Sequence, residues 1–201
     1  MKLHIINKSP VVIADDLFSY KEYKLMFDEF KRIKERGLLM TDNETGGALN
    51  VDDGSMKKQN SSAFIDYVYA DRKFSDILTI NRKVFSQPVV AELINLHPFF
   101  NYIPLCDSDA TLLSYYDNGN KYEEHRDAAI MSILTWFYDE PKKFDGGDFI
   151  VEQDFKVECR ANRTVFMPSF MLHAVTSVIP EKPNKSMGRY TMTQFAHIIN
   201  R

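Results

Sequence analysis

From residue 110 to residue 197 the sequence breaks into eight short strand-like runs separated by turn-forming residues, and this punctuation restricts the fold more than any other feature. The runs are 110–116, 122–125, 131–138, 148–152, 156–159, 164–167, 172–178 and 189–197. Between them stand Asp117-Asn118-Gly119-Asn120, Asp145-Gly146-Gly147, Pro168-Ser169 and the stretch from Pro180 through Gly188. Such residues supply the special backbone angles of tight turns. Eight short strands at this spacing indicate a double-sheet jelly-roll rather than an α/β sheet. The 15 Phe and 10 Tyr lean the same way, since aromatic residues favour strands.

The first half reads differently. Residues 10–17 look like a short strand. Ser19 is placed to cap a helix running to about Glu35, with Tyr20, Tyr23, Leu25, Met26, Phe27, Phe30 and Ile33 as its apolar stripe and Gly37 closing it. Residues 42–61 are rich in Gly, Asn and Asp, which predicts a mobile surface loop, either a functional lid or a plain disordered insertion. Residues 63–69 alternate like a strand. Residues 72–96 carry Phe74, Ile77, Leu78 and Ile80 at helical spacing, then Val84 and Phe85, with Pro88 separating off a second short helix that ends near Leu96. The expected organisation is one domain over 1–201, of class α+β but mainly β. Residues 1–109 buttress one outer face of the sandwich, and residues 110–201 form its core.

Composition excludes several roles. The net charge is −3 and no block of Lys or Arg is present to collect phosphates, so nucleic acid is not the expected partner. Lys57-Lys58, beside Asp52-Asp53, reads as a solvated loop. Cys106 and Cys159 are far apart, lack C-x-x-C spacing and are expected to be reduced thiols. The apolar run before Asp15-Asp16 is too short for a signal peptide, and nothing approaches the ~20 apolar residues of a membrane span. A soluble cytoplasmic protein with no membrane partner is expected; its oligomeric state is not legible.

The chemistry concentrates in Tyr122-Glu123-Glu124-His125-Arg126-Asp127. In a strand running into a loop, residues i and i+2 project to one side, so His125 and Asp127 can offer a nitrogen and an oxygen to one ion. His173, in the run 172–178, is placed to be the third ligand. Two histidines and one carboxylate on one face of a metal leave positions open, which is the ligand set of non-haem Fe(II) oxygenases. An H-x-D spacing alone is weak evidence. Arg189, sixteen residues beyond His173, strengthens it. An inward arginine on such a strand needs a carboxylate, and its planar fork suits the far end of a dicarboxylic acid. Gly146-Gly147, between the ligand segments, would let the backbone turn and approach a neighbouring strand.

These segments resemble the 2-oxoglutarate/Fe(II) dioxygenases of the prolyl 4-hydroxylase type. The resemblance covers roughly residues 110–197 through SYYDNGNKYEEHRD, MSILTWFY, FDGGDFIVE, RTVFMPSFMLHAVTSV and GRYTMTQF, and the opening VVIADDLFSYKEYKLMFDEF is also typical. It implies a double-stranded β-helix, with His125, Asp127 and His173 as iron ligands and Arg189 as partner of the 2-oxoglutarate C5 carboxylate. Tyr122 would line the co-substrate pocket, and Thr191 would offer a hydrogen bond to the same carboxylate. The implied cofactors are Fe(II), 2-oxoglutarate and O2, with ascorbate as a reductant. Two segments depart from the pattern. Trp136-Phe137-Tyr138-Asp139 stands where Tyr-Leu-Asn is usual, and Pro168-Ser169-Phe170-Met171 fills a turn that usually holds a glycine. Halogenating relatives lack a carboxylate at the position of Asp127, so hydroxylation is implied.

The implied substrate is peptidyl proline, as in a procollagen-proline 4-dioxygenase, within a peptide or protein partner. Hydroxylation of a free amino acid or other small molecule, and a non-catalytic metal-binding jelly-roll module, are the alternatives. A repair dioxygenase of alkylated nucleic acid fits less well. That group carries a second arginine soon after the first, whereas the next one here is Arg201. Tyr115, Tyr116, Trp136 and the 42–61 loop are candidates for the substrate pocket, although the aromatics also read as ordinary core. Arg126 is expected to face solvent or a salt bridge, Glu123-Glu124 to be solvated, and His4, His97 and His197 to be structural.

Overall fold

In the computed structural model of the chain, residues 2–182 and 187–200 are described. The chain opens with a hairpin of β1 (Lys2–Ile5) and β2 (Val12–Asp15), of which only β2 was expected. Helix α1 (Tyr20–Glu35) follows, started by a capping box: the Glu22 amide donates to Ser19 Oγ at 3.3 Å and the Ser19 amide to Glu22 Oε2 at 2.7 Å. Met26, Phe27, Phe30 and Ile33 are buried, with Tyr23 packed beside them. Leu25 falls one residue off that stripe and Tyr20 overhangs its start, so both are exposed. Gly37, at φ +68°, lets the chain leave the helix.

Short helix α2 (Asp42–Thr45) precedes β3 (Ser61–Phe64), α3 (Ile65–Val68), α4 (Asp76–Ile80) and α5 (Gln87–Leu96). The strand expected over 63–69 therefore ends at Phe64. Asp66 turns out of the sheet to accept from the Thr111 amide and from Arg72 Nη1, each at 2.7 Å, and the chain coils around that carboxylate. Pro88 lies inside the first turn of α5 rather than ahead of it, where its missing N–H breaks no helical bond.

The second half contains β4 (Ser108–Tyr116), β5 (Tyr122–His125), β6 (Met131–Phe137), β7 (Phe144–Gly146) and β8 (Phe149–Val151). After these come β9 (Phe155–Val157), β10 (Arg163–Pro168), β11 (His173–Val175), β12 (Val178–Pro180) and β13 (Arg189–His197). The run 172–178 splits because β11 pairs with β5 and β8 whereas β12 pairs with β7, a strand the sequence did not announce. The turn expected from Pro180 through Gly188 lies partly outside the described residues.

Seven strands form one sheet in the order β1-β2-β10-β6-β13-β4-β3, and four form a smaller one in the order β5-β11-β8-β9. Period-2 alternation gives the larger sheet two different faces. Leu113, Ile133, Phe137, Phe166, Tyr190 and Met192 point to the helices and close one core with Phe27 and Phe30. Leu134, Trp136, Val165 and Met167 point to the smaller sheet and close a second core with Phe149, Val151 and Val175. The fold is thus mainly β, a jelly-roll with helices on one outer face, as the sequence predicts. Tight turns hold the two sheets together. A Cβ on Gly146, at φ +68°, would lie 2.1 Å from the Ser177 carbonyl oxygen. Gly146→Ala is expected to destabilise the protein by at least about 2 kcal/mol, read as a lower urea midpoint, because neither the angle nor the space admits a side chain.

Candidate active site

The antiparallel pairing of β5 with β11 sets His125 directly opposite His173. Their ring centroids are 4.1 Å apart. Each Nδ1 bonds a carbonyl two residues upstream, His125 to Glu123 at 2.8 Å and His173 to Met171 at 2.9 Å. These bonds take up Nδ1–H and turn each Nε2 lone pair inward. Asp127, just beyond β5, faces both: its carboxylate oxygens lie 3.6 Å from His125 Nε2 and 3.5 Å from His173 Nε2. Burial, then the neighbouring His173, pushes the His125 pKa down to about 3, so this imidazole is neutral at pH 7. A carboxylate and imidazole lone pairs converging on one point repel unless a cation stands between them. The three donor atoms lie within 4.8 Å of one another, and two imidazoles with one carboxylate are a donor set that suits Fe(II).

Asp127 is itself held. Its amide donates to the Ser169 carbonyl at 2.9 Å, and Ser132 Oγ donates to Asp127 Oδ2 at 2.5 Å. Ser132 Oγ also lies 2.8 Å from Ser169 Oγ. Neither serine was among the expected site residues. Ser132 sits on an apolar strand and Ser169 in a turn, and only the position of β6 beside β10 shows what they support.

On β13, Arg189 is fully buried, with its guanidinium 4.4 Å from the centre of the Tyr116 ring. One of its nitrogens bonds Thr191 Oγ1, while Nε and Nη2 have no partner. Among the described residues no carboxylate pairs with it. Gly147 makes room for it: a Cβ there would lie 2.8 Å from Arg189 Nε. Arg189, Thr191, Tyr122 and the three ligand residues all line one narrow inner cavity, together with Tyr116, Trp136 and Phe149. A buried guanidinium with two idle donors fits a ligand carboxylate, and the His125, Asp127 and His173 donors fit a metal ion.

Tyr122 stacks on His125 with centroids 3.5 Å apart and an interplanar angle of 11°, and its hydroxyl accepts from the Ala48 amide at 3.1 Å. That bond ties the site to the segment expected to be a loose loop. Residues 46–60 instead fold back on themselves and dock on β5. Asn50 and Ser55 bond at 2.8 Å, Lys57 and Ala48 at 2.9 Å, and Glu123 donates to the Lys57 carbonyl at 3.1 Å. Lys58 is not solvated as expected but buried, its Nζ donating to Thr45 Oγ1 at 2.6 Å and Ser62 Oγ at 3.2 Å; burial pulls its pKa down to about 8.

This flap bounds a larger outer cavity of about 750 Å³, whose other walls include Phe64, Tyr67, Arg126, Asp127, Ala128 and Phe195. Of the aromatics offered for a pocket, Tyr116 and Trp136 face the inner cavity. Tyr115, one residue out of phase, packs on Tyr190 under the helices. Arg126 faces solvent and donates to the Phe170 carbonyl, and Glu123 pairs with Lys121 at 2.8 Å on the surface. His97 accepts from the Phe99 amide at 3.1 Å, a structural cap, but His197 lines the outer cavity. Both cysteines are free. No helix among the described residues is long and apolar enough to cross a membrane. Arg201 lies outside the described residues.

Known proteins share this pattern. Residues 110–197 match the model of the 2OG-Fe(II) oxygenase superfamily. A PKHD-type hydroxylase of Acinetobacter baumannii strain AYE is 30% identical over 107 residues, covering 45% of this chain and 47% of that protein. The chain thus spans about half the length of the curated relatives it matches. Among solved structures, a Pseudomonas putida prolyl-4-hydroxylase superposes with a TM-score of 0.63 at 14% identity, covering 94% of this chain and 93% of that one. A Trichoplax adhaerens prolyl hydroxylase, in complex with a hypoxia inducible factor peptide fragment, gives a TM-score of 0.61 at 11% identity, over 95% and 84%. The viral collagen prolyl hydroxylase of Paramecium Bursaria Chlorella virus-1, in its 2OG complex, gives 0.56 at 11%, over 96% and 98%. The family resemblance read from the sequence is borne out.

Two outcomes are expected. Ser132→Ala, which frees one oxygen of Asp127, should weaken Mn(II) binding about tenfold by calorimetry, with little change in melting temperature. In metal-free protein, His125 binds its proton less readily folded than unfolded. Stability should therefore be unaffected above the ordinary histidine pKa and fall as the pH drops below it towards about 3. Melting temperatures taken from pH 7 to pH 5 should fall less steeply for His125→Gln than for the parent protein.

Proposed function

We propose that this chain, whose residues 110–197 carry the 2OG-Fe(II) oxygenase pattern, is a dioxygenase that hydroxylates an unactivated C–H bond of a prolyl residue in a peptide or protein. The overall change is R–H + 2-oxoglutarate + O2 → R–OH + succinate + CO2. The observation that carries this reading is Arg189, a fully buried cation with two unpartnered donors in the same cavity as the His125, Asp127 and His173 donors. A metal site alone leaves that arginine without purpose.

Fe(II) held by His125, Asp127 and His173 would supply the oxygen chemistry that couples co-substrate decarboxylation to hydroxylation. The chain's own residues do the positioning. Arg189 fixes the distal carboxylate of 2-oxoglutarate through its unpartnered nitrogens, steadied by Tyr116 behind it and Thr191 beside it. Tyr122, Trp136 and Phe149 wall the inner cavity and keep water from the reacting atoms. Ser132 holds one oxygen of Asp127, which orients the carboxylate.

Lys58, Leu112, Tyr122, Asp127 and Phe195 line both cavities, so a substrate in the outer one lies against the metal-ligand Asp127. The walls formed by Phe64, Tyr67, Leu112, Ala128 and Phe195 are apolar and suit a pyrrolidine ring on an extended peptide. The two free thiols and the need to keep iron reduced fit a cytoplasmic setting, with ascorbate as the reductant.

Succinate release from 2-oxoglutarate, with Fe(II), ascorbate and O2, is expected and should rise when proline-containing peptides are added. Those peptides should gain the mass of one oxygen. Arg189→Ala should lower turnover at limiting 2-oxoglutarate at least about a hundredfold, since it removes a buried bidentate contact. Absence of succinate under all conditions, with 2-oxoglutarate binding unchanged by Arg189→Ala, would identify a non-catalytic metal module instead. Oxygen gain on free amino acids but on no peptide would reassign the substrate.

A further inference from the structure

The flap is held to β5 by backbone bonds that set which of its side chains face inward. Glu123 donates to the Lys57 carbonyl at 3.1 Å, Gln59 donates to the Lys121 carbonyl at 2.9 Å, and Lys58 is bridged to Tyr122. Side chains alternate along such a segment. Gln59 points to solvent, while Lys58 and Asn60 on either side of it are buried and line the inner cavity. Asn60 is only 7% exposed and its amide lies against the Tyr116 phenol, but among the described residues neither its Nδ2 nor its Oδ1 makes a hydrogen bond of good geometry. A buried amide left unpaired costs as much as a lost hydrogen bond, so this one calls for a ligand group. It lies beside the phenol of Tyr116, whose ring the Arg189 guanidinium covers. Asn60 and Arg189 therefore share one end of the cavity, and both hold idle donors there.

Lys58 adds to the same argument. Its amine has hydroxyl partners only, and among the described residues no carboxylate lies within ion-pair distance of it. The inner cavity thus collects Arg189 and Lys58 against Asp127 alone, before any metal is counted. An excess of positive charge in a buried space selects a dianion.

We propose that the flap is a working wall of the co-substrate site: Asn60 donates its amide N–H to the distal carboxylate of a bound 2-oxo dicarboxylic acid alongside Arg189, and Lys58 supplies a second cation at the boundary with the outer cavity. The inference rests on the dioxygenase reading, because it presumes that 2-oxoglutarate is the ligand. It makes residues 46–60 part of the binding site rather than a cover over it. Substrate in the outer cavity and co-substrate in the inner one then touch the same segment.

The test is titration of 2-oxoglutarate into Mn(II)-loaded protein, followed by the fluorescence of Trp136, the only tryptophan of the chain and a lining residue of the cavity. Manganese affinity is measured separately by calorimetry. Asn60→Ala should weaken 2-oxoglutarate binding about tenfold or more, as expected for a lost hydrogen bond to a charged group. Asn60→Asp, of nearly the same shape, should weaken it further through repulsion between carboxylates. Lys58→Met should weaken it about tenfold while leaving manganese affinity unchanged. For 2-oxobutyrate, which lacks the distal carboxylate, the Asn60 variants should bind like the parent. If Asn60→Ala does not fold, Asn60→Asp carries the comparison. Parent-like 2-oxoglutarate affinity in folded Asn60→Asp and Lys58→Met overturns the inference and leaves the dioxygenase reading standing. Failure of the parent itself to bind 2-oxoglutarate overturns both.

Discussion

The site depends on one cross-strand register: His125 on β5 opposite His173 on β11. The two residues are 48 apart in sequence, and no helix or turn could bring them together at this distance and angle. Antiparallel pairing does so at no extra conformational cost, because the smaller sheet needs that pairing anyway to close the sandwich. A slip of one residue would turn one of the two imidazoles out of the cavity. The register is protected by Val151 on β8, which pairs with His173 from the other side and is fully buried in the core between the sheets. Packing and chemistry are thus enforced by the same strands.

Around that register the charges form a set that is complete only with ligands present. The imidazole nitrogens and the Asp127 carboxylate converge on one point, and the Ser132–Ser169 pair braces the carboxylate from behind. At the other end of the cavity Arg189 holds unpaired donors against the face of Tyr116. Gly147 is what allows that arginine to lie so deep, since any side chain there would meet its Nε. Positive charge at one end and metal donors at the other leave the two groups facing one enclosed cavity. A core built only for stability would replace these groups with apolar ones.

The alternation of side chains made much of this legible before the structure. H-x-D at 125 and 127 placed two donors on one side, and β5 and β13 have the predicted bounds because turns flank them. Their places on predicted strands singled out His173 and Arg189, the resemblance implied their roles, and the fold brings both to the same cavity. Alternation does not say which face is inward, and so Tyr115 and Tyr116 read alike although they lie in different cores. Ser132 and Ser169 were silent because their role lies in a neighbour 37 residues away. The order of the flap is hidden from the sequence for a related reason. Its polar composition suggests a loop, but backbone bonds to β5 order it, and these leave no hydrophobic period behind. Lys58 and Asn60 became visible only through burial.

In the proposed dioxygenase, one Fe(II) bound between β5 and β11 would be met by a 2-oxo acid anchored at Arg189. Anaerobic titration of the protein with Fe(II), and then with 2-oxoglutarate, tests it most directly. The parent protein should bind one iron per chain and develop the visible charge-transfer absorption of an iron chelated by a 2-oxo acid, and His173→Ala should lose both. Equal iron binding and equal absorption in the parent and in His173→Ala would rule that arrangement out.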